Sequence, residues 1–405
     1  MNTVVSAPTE TPEAPRQRSR LATLRDSPTF ERCLSPFAFL LIFCGYALWT
    51  GDTFVSIPGR TLDIHLSVPI LVLGLSVLVT LACGEFDLSI GSMATLTTFF
   101  AVGLRVESGW SFWLVLAVCI AMGIVGGLVN GWLVVKVRVN AFIATLGTGG
   151  VMLGLSNVYG GGTTINPSPD GPQLPGWFSG QNSLGDFAAK APSWLVWISL
   201  AAIGAWIAVA LVRARPARFS QQTWYAIAAG ICVVAVVVLF TFVDITEWVD
   251  QMSWLIAVLA ILAAICWVLM NLTTFGRHLY ATGSNADAAR LAGVPVSRQT
   301  IKAFVLGGVL AAISGILLAS SQGSAAQGAA TGYLLPAFAA AFLSTVIFSR
   351  GQFRVWGTIF GGIFLVWVNQ GLAGAGVPFT WSQVINGAVL ILAVSMATVL
   401  RPRKN

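Results

Sequence analysis

TTFGRHLYATGSNADAARLAGVPVSRQTIK, Thr273 to Lys302, is a polar stretch set between two apolar blocks. It carries Arg277, Arg290, Arg298 and Lys302, and only Asp287 opposes them. The apolar run before it ends near Asn271, and the next begins at Ala303. A helix needs about 20 apolar residues to cross the hydrocarbon of a bilayer, so a polar connector between such runs is where the chain meets water. Within the connector, Asn285 to Gly293 reads as a short helix. Asn285 can cap its N-terminus, Asp287 sits in the first turn where the dipole favours a carboxylate, and Gly293 can end it. A small-residue helix stopped at both ends, held between membrane spans, has the shape to fit a cleft on a soluble partner.

The rest of the chain has the composition of a membrane protein. Of 405 residues, 56% are hydrophobic and only 9% charged, against about 25% charged in a soluble domain. Such a surface needs lipid as its solvent. The 42 glycines and 15 tryptophans agree, since small residues let helices approach closely and Trp favours the headgroup boundary. The formal charge of +7 does not indicate nucleic-acid binding, because the cations are distributed loop by loop. The six cysteines are scattered singly and read as small apolar fillers. Two distant histidines, His65 and His278, argue against a catalytic or zinc site, and no cofactor is expected.

Residues 1–32 are rich in Pro, Thr, Arg and Ser without apolar periodicity, and read as a disordered cytoplasmic tail. One membrane domain accounts for residues 33–400. Its apolar runs lie at 34–50, 66–83, 88–104, 111–135, 141–159, 194–212, 223–243, 254–272, 303–322, 333–348, 355–373 and 380–399. The fold class is therefore all-α and polytopic, with about 10–12 transmembrane helices; the runs at 88–104 and 333–348 are the weakest. With the N-terminus inside and every run crossing, nineteen of the 22 cations fall in inside loops, and only Arg60, Arg105 and Lys190 outside. The positive-inside bias places both termini in the cytoplasm of a cell (inner or plasma) membrane. The outside loop 160–193 is rich in Gly, Pro, Asn and Ser. It reads as a flexible connector or as a docking surface for an external protein, and we take the second reading.

Several short strings carry polar groups at membrane depth. In Gly84-Glu-Phe-Asp-Leu-Ser-Ile-Gly91, Asp87 and Ser89 lie where two apolar runs meet. A carboxylate inside a span costs at least about 2.5 kcal/mol, so it faces a water-filled path or a partner. The other reading is that Asp87 caps the following helix. Gly123, Gly127 and Gly131 recur every four residues and make a stripe for close helix packing, with Asn130 beside it bonding across that contact or lining a path. Thr145 and Thr148 share a helix face. Their hydroxyls suit an uncharged polyol, or they bond back to their own helix. Gly357-x-x-x-Gly361-Gly362 followed by Asn369-Gln370-Gly371 echoes the earlier Gly126-Gly127 and Asn130-Gly131, which suggests a weak inverted repeat with Asn369 and Gln370 as further pathway residues. No Gly-Lys dipeptide occurs, so there is no P-loop, and any ATP hydrolysis belongs to another chain.

Asp287-Ala288-Ala289-Arg290-Leu-Ala-Gly293 resembles the E-A-A-x-x-x-G pattern of the cytoplasmic coupling loop of ABC importer permeases, with Asp for Glu. Phe275-Gly-Arg277 through Tyr280-Ala-Thr-Gly-Ser-Asn285 is closer still to the ribose/xylose/arabinose permeases, and the pair of runs at 194–212 and 223–243 resembles an insertion that the xylose type carries and the shorter ribose type lacks. The 84–91 string is similar to that family's G-G-I-D-L-S-x-G-S, with Glu85 and Phe86 at variance. Val139 to Thr148 is similar to P-A-F-I-x-T-L-G-T, with Asn140 for Pro. At Leu343–Arg354 the family's Gly-rich loop is replaced by a stiffer, more basic one. The resemblance implies a transport subunit, not an enzyme, that passes a monosaccharide, a pentose such as xylose. It implies a homodimer, an ATP-binding subunit coupled through Arg277, Asn285, Asp287, Ala288, Ala289, Arg290 and Gly293, and a periplasmic or extracellular sugar-binding protein. The rival is an ion-coupled secondary sugar transporter, which would need buried acidic or His residues for its ion; only Glu85 and Asp87 qualify.

Overall fold

The computed structural model describes residues 44–49, 51–213, 244–347 and 352–399. The tail 1–32 and the apolar run 223–243 lie outside the described residues. Besides two short α-helical pieces, Asp52–Val55 and Ile245–Asp250, the main helices are α1 (Ile57–Ala82), α2 (Ile90–Val106), α3 (Phe112–Trp132, continued by a π-helical turn, Leu133–Val137), α4 (Ala141–Tyr159), α5 (Ser193–Arg213), α6 (Trp254–Asn271), α7 (Thr274–Ser284), α8 (Ala286–Leu291), α9 (Val296–Gln322), α10 (Leu334–Ile347), α11 (Val355–Gly374) and α12 (Ser382–Val399). Six of them (α1, α3, α4, α6, α9 and α11) are long and apolar enough to cross a bilayer, and shorter apolar helices lie within α2, α10 and α12. No strand forms among the described residues; two isolated bridges, Ile165 with Ala325 and Lys190 with Ser253, tie loops together. The chain is an all-α, multi-pass membrane protein.

Two helices form the centre. The apolar windows of α1 and α9 are 83% and 78% buried, whereas those of the other long spans are 28–56% buried. The other long spans therefore turn much of their apolar surface outward, as a lipid-solvated bundle must. Both central helices are longer than the apolar runs suggest. At about 1.5 Å per residue, the 27 residues of α9 reach about 40 Å, beyond the ~30 Å hydrocarbon. Its first turns, Val296 to Lys302, are the polar end of the connector rather than loop. Likewise α1 starts at Ile57, not near residue 66. Arg60 and Asp63 pair at 3.0 Å within the helix, and the guanidinium lies 4.4 Å from the centre of the Phe54 ring. This covered pair lets the helix run through a turn that hydropathy alone would exclude.

The glycine stripe is a packing device. A Cβ at Gly123 would sit 2.6 Å from the Gly308 carbonyl oxygen, and one at Gly131 would sit 2.9 Å from the Ile301 Cα; at Gly127 it would collide with the Phe304 backbone. The obstacle in each case is the backbone of α9, which cannot swing aside. We expect Gly127→Val to force α3 and α9 apart and cost about 3 kcal/mol. Thermal unfolding in detergent, followed by loss of the monodisperse peak, checks this.

The order long, short, glycine-rich, outer occurs twice, as α1–α2–α3–α4 and as α9–α10–α11–α12. Packing follows the same scheme in both, with exchanged partners: α2 and α3 pack on α9, α10 and α11 pack on α1, and α4 and α12 cover α2 and α10. This agrees with the repeat inferred from the glycine and amide spacings. The 160–193 segment is ordered against the bundle. Phe178 is buried, and the Leu184 amide donates to the Trp177 carbonyl. His65 of α1 bonds Ser253 at 2.7 Å and the Gly185 carbonyl at 3.1 Å. At the loop's exposed side, backbone N–H groups of Ala188 and Asn182 hold the Asp186 carboxyl below the usual carboxylate range.

Candidate functional site: a buried polar break and an exposed capped helix

The chain between α1 and α2 is unwound from Gly84 to Ser89. Gly84 takes φ +89° and makes the turn. Asp87 is buried, with 1% of its surface exposed. Its Oδ1 accepts from the Ser89 backbone N–H at 2.9 Å and from the Ser89 hydroxyl at 2.6 Å. Ser89 Oγ in turn accepts from Asn130 Nδ2 at 2.8 Å, and Asn130 Oδ1 accepts from the Thr148 hydroxyl at 2.6 Å. The result is a directional chain from α4, through α3, to a carboxylate at the start of α2. Thr145 Oγ1 accepts from the Leu88 N–H at 3.1 Å and donates to the Ala141 carbonyl at 2.7 Å. It thus bonds its own helix and also closes the break.

Five of the sequence-predicted pathway residues, Asp87, Ser89, Asn130, Thr145 and Thr148, meet in this one cluster. Asp87 serves the helix start, yet it is not a solvated cap. Asn130 bonds across the helix contact. The Thr145 and Thr148 hydroxyls are turned into the cluster. Asn369 and Gln370 are not members. Asn369 Nδ2 donates to Asn386 Oδ1 at 2.9 Å and to the Leu365 carbonyl at 2.8 Å, tying α11 to α12. Gln370 is half-buried on α11. Asn386 was not legible as a partner, because nothing in sequence fixes the rotation of α12 against α11. The two residues that depart from the family string also acquire places: Glu85 is half-buried, and Phe86, 44% exposed, stacks on Phe338 with ring centres 6.2 Å apart. Asn140, standing where Pro is usual, caps α4 by accepting from the Phe142 N–H at 2.9 Å.

The connector that opened the sequence reading folds into α7, α8 and the head of α9. Asn285 Oδ1 accepts from the Asp287 N–H at 3.1 Å and the Ala288 N–H at 2.9 Å, the expected N-cap. Gly293 takes φ +83° and ends the helix; the Val294 N–H returns to the Ala289 carbonyl at 2.9 Å. Asp287 and Arg290 pair at 2.9 Å on the exposed side. Ala288 is exposed and Ala289 is buried where α8 packs against α7 and α9. Arg277 is exposed on α7. The residue missed in the sequence is Leu291, 91% exposed. A lone Leu among Ala, Arg and Asp was its signal, but only the helix's rotation shows that it points away from the bundle.

α7 joins the two parts. A Cβ at Gly283 would collide with the Ala82 backbone at the end of α1, and one at Gly84 would lie 3.4 Å from the Gly283 Cα. The connector therefore rests directly on the turn that begins the polar break. On its other side, the Tyr280 hydroxyl donates to the Phe353 carbonyl at 2.8 Å, and burial pushes its pKa up to about 12. The hydroxyl stays protonated, and the bond stays made, at any physiological pH.

The sequence profile of the family described as branched-chain amino acid transport system / permease component matches residues 64–394. The chain belongs to this permease family. Within the family it is 30% identical over 335 residues to the xylose transport system permease protein of Haemophilus influenzae, covering 80% of this chain and 85% of that protein. It is 29% identical over 321 residues to the ribose import permease protein of Escherichia coli strain K12, covering 78% of each. It is 27% identical over 379 residues to the galactose/methyl galactoside import permease protein of Salmonella typhimurium, covering 91% of this chain and 94% of that one. No solved structure matches. The permease is a transport subunit and not an enzyme, and it spans the membrane several times.

Proposed function

We propose that this permease is the membrane subunit of an ATP-driven importer for a monosaccharide, a pentose such as xylose. The observation that carries the reading is α8: a helix capped at both ends, with Leu291 held out to solvent beside the Asp287–Arg290 pair. Similarity to permeases whose names specify xylose, ribose and galactose supports the substrate class. The proposed partner at α8 is an ATP-binding subunit, contacted through Arg277, Asn285, Asp287, Ala288, Ala289, Arg290, Leu291 and Gly293. A sugar-binding protein docks on the opposite face, where the 160–193 loop is packed. Two copies of the chain form the pathway, with exposed apolar residues of α3 and α4 facing lipid or the second copy. Termini lie in the cytoplasm. The supporting geometry is the helix ends that the cations flank: Lys136 and Arg138 follow α3, which packs antiparallel on α9 (Gly131 against Ile301), Arg277 lies on α7, and Arg354 precedes α11 beside the Tyr280–Phe353 bond, whereas Arg105 ends α2 and Lys190 precedes α5.

In the proposed cycle, closure of the ATPase subunits moves α8 and α7 together. Through the Gly283–Ala82 contact this shifts the Gly84 turn and opens or closes the bonds among Asp87, Ser89, Asn130, Thr145 and Thr148 at the inner end of the path. Asn369 and Gln370 line the corresponding part of the other half. The coupling is a difference in contacts between two states, and no chemistry occurs in this chain.

The test is reconstitution. Proteoliposomes holding the permease, its ATPase subunit and a sugar-binding protein should accumulate labelled pentose only with ATP. Uptake by the permease alone, driven by a proton or sodium gradient, would instead establish the ion-coupled reading.

A further inference from the structure

A crevice of about 230 Å³ opens between the end of α6 and the start of α11, lined by Trp267, Asn271, Arg354, Trp356, Gly357 and Phe360. It lies at the membrane end that carries α7 and α8, because α6 runs directly into α7 through the Thr273 cap. Two features coincide there. Arg354 is exposed, its guanidinium bonds only the neutral Gln352 side chain at 3.3 Å, and it makes no ion pair among the described residues. Trp356 and Phe360, 40% and 50% exposed, continue the wall along α11 into the apolar zone. An exposed guanidinium without a carboxylate partner selects a phosphate-like anion. Aromatic rings running from that point toward the hydrocarbon select an acyl chain attached to it.

We propose that this crevice binds one anionic phospholipid, its phosphodiester on Arg354 and its acyl chain along Trp356 and Phe360. The inner-face position rests on the orientation given above; the ligand chemistry does not. Basic crevices between membrane helices on the cytoplasmic side suit anionic headgroups in general. Here the site also borders the Tyr280–Phe353 bond that links α7 to α11, so an occupying lipid braces that joint.

Native mass spectrometry of the full-length permease in detergent, titrated with phosphatidylglycerol or phosphatidylcholine of identical chains, tests the proposal. One phosphatidylglycerol should bind per chain, about tenfold tighter than phosphatidylcholine. Arg354→Ala should remove that preference and Arg354→Lys should keep part of it, both variants eluting as the wild type. Millimolar inorganic phosphate should not displace the lipid. Equal binding of both lipids, an undiminished preference in Arg354→Ala, or displacement by phosphate would each overturn it, the last by showing a site for a soluble anion. Labelling of Gln352→Cys from either side of sealed vesicles decides the orientation separately.

Discussion

Leu291→Glu is expected to give a permease that reaches the membrane in normal amount and imports no detectable sugar. The side chain is 91% exposed, so its replacement removes no packing within this chain. In the proposed complex it is the one large apolar group that α8 offers. Anchors of this kind contribute at least about 2 kcal/mol to an interface, or roughly thirtyfold in affinity. A carboxylate in its place would also be buried against the partner without a counter-charge. Co-purification with the ATPase subunit and ATP-driven uptake in proteoliposomes read the effect. Arg290→Glu makes a second, electrostatic version: it destroys the surface pair with Asp287, itself worth little, and reverses the charge presented to the partner. Full transport by both variants would show that α8 is not the docking element.

Asp87→Ala is expected to damage both stability and transport. The carboxylate is the terminal acceptor of the chain Thr148, Asn130, Ser89. Removing it leaves the Ser89 amide and hydroxyl without an acceptor in a buried site. Charge-assisted and unsatisfied buried groups together make this a loss of about 3 kcal/mol. Asp87→Asn keeps an oxygen for the Ser89 N–H and should cost about 1 kcal/mol. Melting in detergent should therefore rank wild type, Asn, Ala. Transport by Asp87→Ala should fall at least about tenfold when measured below its melting temperature. An Ala variant that is stable and fully active would take the polar break out of the mechanism.

The two halves of the candidate machinery were unequally legible. The cap at Asn285, the stop at Gly293 and the first-turn Asp287 follow from local rules that operate within four residues, and they need no knowledge of the rest of the chain. The glycine stripe on α3 was also readable, because a period of four on a helix is a face whatever packs there. The meeting of Asp87, Ser89, Asn130, Thr145 and Thr148 was not. Each is polar in an apolar context and so stood out singly, yet the bonds that bring α3 and α4 to the break span 18 residues (Thr148–Asn130), 41 (Asn130–Ser89) and 57 (Thr145 to the Leu88 N–H). They form only after α2, α3 and α4 have packed, and the rotation of each helix is fixed by partners elsewhere, chiefly α9.

Sequence alone determined the membrane class, the alternation of spans and polar connectors, and the helix that ends at Gly293. These depend on hydrophobicity and on backbone groups that are near neighbours in the chain. Tertiary structure alone decided where α1 and α9 begin, that Leu291 points outward, that Asn369 is bound to Asn386, and that Gly283 rests on the turn before Asp87. Those outcomes depend on how one helix surface fits another, and side chains distant in sequence settle that fit together.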